Sequence, residues 1–120
     1  MSILGTLDFT QFRAQDGDGT KRVRYGMYTG PASYSNYYTN AGTGDPAIPG
    51  DFMLGQIHLI FFDTALNVSG VPLSPVYVSA QMPGGPPNGA ILWMQWNTNA
   101  EVANGTALNG YSVYFEAIGI

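Results

Sequence analysis

Acidic residues and one histidine are the side chains of this sequence that could do chemistry. Asp16-Gly-Asp-Gly19 resembles the start of a calcium-binding loop, but the twelfth position counted from Asp16 is Met27, where such a loop needs a bidentate glutamate. A glycosidase needs two paired carboxylates, and nothing in the sequence marks such a pair. The candidates for it are Asp45, Asp51, Glu101 and Glu116.

His58 is the only histidine, and cysteine is absent from the chain. A lone histidine without a second nitrogen or sulfur ligand is more typical of a hydrogen-bonded or interface side chain than of a metal ligand or a base. The sequence also lacks nucleophile-elbow, phosphate-loop and zinc-protease motifs. We therefore expect a protein that is not an enzyme and that takes no metal and no cofactor.

Length and charge limit the remaining classes of protein. The chain has 120 residues, which indicates one domain, 1–120, with a core large enough to fold without disulfides. Its longest apolar run, Ile57 to Phe62, is far shorter than the roughly 18 to 20 residues of a membrane span. The net charge of −4 and the lack of an extended basic stripe disfavour nucleic-acid binding.

Glycine, proline and the aromatic residues indicate an all-β fold. The chain contains 16 Gly, 8 Pro and 8 Tyr, only 10% of its residues are charged, and no stretch has the composition and 3.6-residue period of a helix. A freely soluble monomer usually carries more surface charge than this. We therefore expect an antiparallel β-sandwich, part of whose surface is covered by partners.

The N-terminal segment, residues 1–29, combines two predicted strands with every basic residue of the chain. The alternation predicts strands over Ile3 to Phe12 and Thr20 to Thr29, with a turn at Gln15 to Gly19. The cations are Arg13, Lys21, Arg22 and Arg24. They either stay hydrated and protect a strand edge, or meet carboxylates of a partner.

Residues 30–50 form a long connection that is rich in Tyr, Gly and Pro. Loops of this length are more often functional than idle, and Tyr34, Tyr37 and Tyr38 among Ser and Asn are typical of a recognition surface. The alternative is a loop that its tyrosines hold against its own domain.

Four further strands are predicted beyond the loop. Asp51 to Asp63 is the central one, in which Ile57, Leu59 and Phe61 alternate with Gln56, His58, Ile60 and Phe62, so we expect both of its faces to be covered. A short strand follows at Val76 to Gln81. The last two strands lie at Ala90 to Asn97 and Tyr111 to Ile118 and are joined by a turn-rich connection. The first of them is apolar on both faces, whereas the second has one buried and one wetter face.

The C-terminal pattern supports a resemblance to a known group of proteins. It consists of Ile91-Leu-Trp-Met-Gln-Trp96, Glu101-Val-Ala-Asn-Gly-Thr-Ala-Leu108 and a final strand ending Phe115-Glu-Ala-Ile-Gly119, and upstream Pro49-Gly-Asp-Phe-Met-Leu-Gly55 leads into a hydrophobic strand. Over residues 38 to 120 the chain resembles small β-rich structural proteins of tailed-phage virions. The resemblance implies a capsid decoration (cement) protein, commonly a jelly-roll-like sandwich that sits as a trimer on the shell.

We therefore expect a cement protein of the virion surface, made in the host cytoplasm, whose partners are the major capsid protein and further copies of itself. The hypothesis assigns capsid contact to Arg13, Lys21, Arg22 and Arg24. It assigns subunit or partner contact to Tyr34, Tyr37, Tyr38, His58, Trp96 and Tyr114. The alternative is a carbohydrate-binding sandwich, such as a virion appendage that adheres to host surface glycans through an exposed aromatic ring.

The mass of the protein in solution tests the expected assembly. Size-exclusion chromatography with light scattering, at several concentrations, should give a persistent trimer near three times 12.9 kDa, because association would cover the apolar strand faces. A clean monomer would contradict the trimer and would favour the glycan-binding alternative.

Overall fold

The computed structural model describes residues 5–16, 22–38, 42–66, 72–79, 89–96, 98 and 100–120, and of β1 and β5 it describes the backbone. Apart from one short 3-10 helix, Pro49–Phe52, the described elements are strands, and every strand pairing is antiparallel. This confirms the predicted antiparallel all-β class. The strands are β1 (Thr6–Asp16), β2 (Arg22–Thr29), β3 (Asp45–Pro46), β4 (Ile57–Phe62), β5 (Ala65–Leu66), β6 (Pro72–Val78), β7 (Ala90–Gln95) and β8 (Ser112–Gly119).

Strand β8 organises one half of the fold. β2 pairs along one edge of β8 and itself pairs with β1, while β4 and then β5 follow the other edge of β8. At β5 the chain turns back into β6, which pairs with β7, and β7 pairs with β3. The fold thus has a first half, β1-β2-β8-β4, and a second half, β6-β7-β3, joined through β5.

Aromatic rings join the two halves across a common core. The indole of Trp93 on β7 lies 5.7 Å from the ring of Tyr28 on β2 and 5.9 Å from the ring of Tyr111, which precedes β8. Within the first half, Phe115 of β8 packs edge-on against Phe52 of the 3-10 helix at 5.4 Å. Rings of this size dominate the apolar area that a small domain buries, and their tilted and edge-on geometry is favourable.

Alternation correctly predicts the inner and outer faces of β8, and both faces of β7 are covered as predicted. Val113, Phe115 and Ala117 are buried, while the residues between them are partly or fully exposed. Ala90 to Trp93 of β7 are all buried. The two strands nevertheless do not pair with each other, because the connection between them crosses from the second half to the first and places Val102 and Leu108 in the core.

The predicted phase and bounds of β4 are wrong. Residues 49–52 form the 3-10 helix, and the strand begins only at Ile57. A register shift against β8 lies between Ile57 and Leu59, so His58 is an extra residue in the ladder. Because such a bulge reverses the alternation, Ile57 faces the core, whereas Leu59 and Phe61 face outward.

The first and sixth strands also differ from their predicted bounds. β1 extends to Asp16, inside the predicted turn, whose residues 17–19 lie outside the described part of the chain, as do residues 3 and 4 of the predicted first strand and residues 20 and 21 of the predicted second strand. β6 covers residues 72–78 and so begins before the predicted start at Val76, while the predicted residues 80 and 81 lie outside the described part of the chain. Pro75 is tolerated within it because β5 pairs with β6 only at Pro72 and Leu73, which leaves the rest of that edge without a ladder among the described residues.

Two glycines test the close packing at the end of β8. A Cβ added at Gly119 would overlap the carbonyl oxygen of Gln56, whereas a Cβ added at Gly110 meets nothing within 4 Å. We expect Gly119→Ala to lower the free energy of unfolding by about 2 kcal/mol or more, because the backbone of the Gln56 segment must move. Gly110→Ala should change it by less than about 1 kcal/mol. Urea unfolding of both variants measures the difference, and equal stabilities would contradict this packing.

Candidate functional site

A buried carboxylate lies at the centre of the polar contacts in the core. Asp45 on β3 is fully buried, and its two oxygens each accept a hydrogen bond of 3.1 Å from the backbone N–H of Gly5. The Tyr28 hydroxyl also donates to Asp45 and accepts a 3.1 Å hydrogen bond from the indole nitrogen of Trp93. Burial, and next the charge of Asp45, raise the pKa of Tyr28 well above its ordinary value of 10.0.

A second carboxylate fixes the start of the tyrosine-rich connection. Glu101 accepts hydrogen bonds from the Tyr34 hydroxyl at 2.6 Å and from the backbone N–H groups of Tyr37 at 2.8 Å and Tyr38 at 2.7 Å. The Tyr34 hydroxyl in turn accepts a 3.1 Å hydrogen bond from the backbone N–H of Trp93. Burial, and next the hydrogen bond to Glu101, raise the pKa of Tyr34 above its ordinary value of 10.0.

Asn36 continues this attachment along the connection between β7 and β8. Its side-chain nitrogen donates to the carbonyl oxygen of Val102 at 2.7 Å, and its backbone N–H donates to the side chain of Asn104 at 3.0 Å. Asn36 is itself buried. Residues 30–38 are therefore held against their own domain, as one of the two interpretations of this loop expected.

The outward side of the first half carries a continuous apolar surface, which we call the outer face. Two cross-strand rows define it: Val23, Ile118 and Leu59 in one, and Tyr25, Glu116 and Phe61 in the next. Met27 and Tyr114 extend it toward the start of β8. Phe61 is 56% exposed and Tyr114 is 49% exposed, and none of the eight residues is buried. Exposed apolar surface of this extent is typical of an interaction site.

Glu116 is the one charged residue within the outer face and lies at its middle, between Tyr25 and Phe61. It is only partly exposed. A partner that covers this surface must also desolvate the carboxylate, which costs free energy unless the partner supplies a cation or hydrogen-bond donors. The outer face therefore selects for a partner that is mainly apolar and carries a positive charge opposite Glu116.

The four basic residues predicted to contact the capsid do not share one environment. Arg22 is exposed at the start of β2. Arg24 is only 8% exposed and lies on the same side of β2 as the buried Tyr28, so its side chain belongs to the interior of the first half. Lys21 and the side chain of Arg13 lie outside the described part of the structure; the Arg13 backbone pairs with Tyr25.

The residues predicted to contact subunits or partners are spread over four places. Tyr34 is buried and Tyr37 is half-buried, while Tyr38 is 57% exposed and packs edge-on against Tyr37. His58 is exposed at the bulge of β4, and Tyr114 belongs to the outer face. Trp96 is 61% exposed just beyond the end of β7, beside a groove.

Sequence reasoning missed the roles of Leu59 and Phe61 in the outer face and those of Asp45 and Glu101 as anchors. The available signal for Glu101 was its isolation, since it is the only charged residue between Asp63 and Glu116. The bulge that turns Leu59 and Phe61 outward has no mark in the local sequence.

Neither the acidic and histidine side chains nor similarity to known proteins assigns a function to this chain. Among the described residues, no group of three or more His, Cys, Asp or Glu side chains is placed to hold a metal ion. No helix in the same part of the chain has the length and hydrophobicity to span a membrane. The chain has no significant match among protein-family models, curated proteins or solved structures.

Alkaline titration tests Tyr28 and Tyr34, whose hydroxyl groups donate to buried or partly buried carboxylates. Because the pKa values of Tyr28 and Tyr34 are raised, both hydroxyl groups keep their protons in the folded protein above about pH 10. Tyrosines of the unfolded chain lose their protons near pH 10. The stability that Tyr28 and Tyr34 contribute is therefore fully present below about pH 10 and is lost as the pH rises above it. Tyrosinate absorbance should show two of the eight tyrosines ionising only as the protein unfolds.

The guanidinium-unfolded chain provides the reference for that titration, and Tyr34→Phe should remove part of the late phase. A folded protein whose eight tyrosines all ionise before it unfolds would contradict the burial of these hydroxyl groups.

Proposed function

We propose that this protein is a capsid decoration (cement) protein, which binds the outside of a phage head and stabilises contacts between major capsid subunits. The observation that carries the proposal is the outer face, an apolar sheet surface left uncovered by the rest of the described chain. The sequence resemblance over residues 38 to 120 supports the same function.

A cement protein stabilises a shell by binding the assembled state more tightly than the separated subunits. Its binding free energy must then be lost before neighbouring subunits can part, and contacts to two subunits at once strengthen the effect. A preformed sheet surface suits this task because little backbone entropy is lost when it binds. Phe61 and Tyr114 are the best candidates for the central anchors, since aromatic residues dominate the energetics of most interfaces.

The position of Glu116 favours a shell subunit over a second copy of the chain as the partner of this surface. If two outer faces met around a two-fold axis near Glu116, the two carboxylates would be brought together in a desolvated site. A shell subunit with a cation opposite Glu116 avoids that repulsion.

The proposal includes a jelly-roll-like sandwich and a homotrimer on the shell. The meeting of the two halves around Trp93 and Tyr28 supports the sandwich. For the trimer, Tyr38 supplies exposed aromatic surface at a position fixed by the hydrogen bond from its backbone N–H to Glu101, and it is not among the residues of the outer face. In this proposal the outer face binds the shell, and the surface around Tyr38 binds a neighbouring copy.

A pair of arginine substitutions tests the outer face. We expect Phe61→Arg to weaken binding to purified phage heads by roughly thirtyfold or more, because a charge replaces a central apolar anchor of the interface. Val76→Arg is the matched control: Val76 is also an exposed apolar strand residue, but it lies on β6 in the second half. Co-sedimentation with heads depleted of decoration measures both affinities.

Equal affinities of the two variants would remove the outer face from the proposal. Failure of the unmodified protein to bind heads would overturn the proposed function itself. Circular dichroism and light scattering of both variants exclude unfolding and a change in self-association as the cause of lost binding.

A further inference from the structure

The groove beside Trp96 lies at the end of β7 and shares no lining residue with the outer face. It has a volume of about 530 Å³, within the range of about 300 to 1,000 Å³ that is usual for small-molecule sites. The end of β7, the start of β6 and the connection to β8 line it together. Its lining residues are Pro72, Leu73, Gln95, Trp96, Val102, Ala103, Thr106 and Tyr111.

One aromatic ring in this groove is open to solvent. Trp96 is 61% exposed, whereas Tyr111 is buried and packs edge-on against Trp93. A proline-rich peptide is typically bound between several exposed aromatic residues, and this groove offers a single one. A lone exposed indole instead provides a flat apolar platform on which one face of a ring-shaped ligand can stack.

The polar groups beside the indole are neutral, and two of them are held in place. The hydroxyl of Thr98 donates to the side-chain oxygen of Gln95 at 3.2 Å, which directs the amide nitrogen of Gln95 to other acceptors. The hydroxyl of Thr106 donates to the carbonyl oxygen of Ala103 at 2.7 Å and keeps its own oxygen as an acceptor. The groove thus offers one donor group and one acceptor at defined positions.

None of the described residues that line the groove is charged. Glu101 is next to Val102 in the chain, but its carboxylate is occupied by Tyr34, Tyr37 and Tyr38. An anionic or cationic ligand would therefore find no countercharge here. A ligand with an apolar face, hydroxyl groups at its edge and no charge fits all of these features.

From these contacts we infer that the Trp96 groove is a carbohydrate-binding site that takes a neutral hexopyranose residue of a surface glycan. The C–H face of the sugar stacks on the indole of Trp96. Its hydroxyl groups accept a hydrogen bond from the Gln95 amide and donate one to the Thr106 hydroxyl. This activity is additional to the proposed capsid binding, since it uses a different surface of the domain.

Indole N–H signals in proton–nitrogen NMR spectra give a direct test, because the chain has only two tryptophans. Trp93 is fully buried and hydrogen-bonded to Tyr28, so its signal serves as an internal control. The probes are the methyl glycosides of glucose, galactose, mannose and N-acetylglucosamine, each titrated to saturation. We expect at least one of them to shift the Trp96 signal and to leave the Trp93 signal unchanged.

Three variants distinguish specific binding from nonspecific stacking on an exposed aromatic ring. Trp96→Ala should weaken binding on the order of tenfold or more, and because this variant lacks the indole, its binding is measured from the shift of a Thr106 backbone signal. Trp96→Phe keeps a ring and should retain most of the affinity. Tyr38→Ala, which removes another exposed aromatic residue, should have no effect. Trp96→Ala should still bind phage heads.

Two results would overturn the inference. One is the absence of any shift of the Trp96 signal with all four sugars, including the case in which only a proline-rich peptide shifts it. The other is a response of equal strength to every sugar, since the fixed positions of Gln95 and Thr106 require that epimers differ in affinity.

Discussion

The carboxylate of Asp45 imposes the constraint on which the rest of the fold depends. A fully buried carboxylate is tolerated only if hydrogen bonds replace the water that it has lost. Its partners come from far apart in the chain, with Gly5 near the N-terminus and Tyr28 on β2. The Tyr28 hydroxyl also accepts a hydrogen bond from the indole nitrogen of Trp93 on β7. Satisfying one side chain thus requires both halves of the fold to be in place, which makes the buried polar chain a determinant of the specific topology.

Glu101 plays the same part for an irregular segment. Loops without regular structure leave many backbone N–H groups without ladder partners, and a carboxylate can accept several of them at once. Here it accepts two from the tyrosine-rich connection, together with the Tyr34 hydroxyl. The domain therefore combines a core with polar anchors and an outer sheet face that is largely apolar. This arrangement is the physical basis of the proposed binding function.

The sequence predicted what depends on local periodicity. The alternation in β8 correctly gave the inward direction of Phe115, and the unbroken apolar run of β7 correctly indicated a strand buried on both faces. Features that depend on distant partners were not predictable in this way. The extra residue at His58 reverses the direction of Leu59 only through its pairing with β8, and the ladder tolerates Pro75 only because β5 is short. The anchoring role of Glu101 likewise depends on residues more than sixty positions away.

Pro75 of β6 has a consequence for how copies of this protein can aggregate. A proline has no backbone N–H to offer, so Pro75, which lies beyond the short pairing with β5, interrupts the pattern of donors that an incoming strand would need at the margin of the second half. Extension of the sheet by stacking strand upon strand, the route to fibres, is hindered there. The exposed apolar surface of the first half is therefore not accompanied by a regular edge of backbone donors along this part of β6.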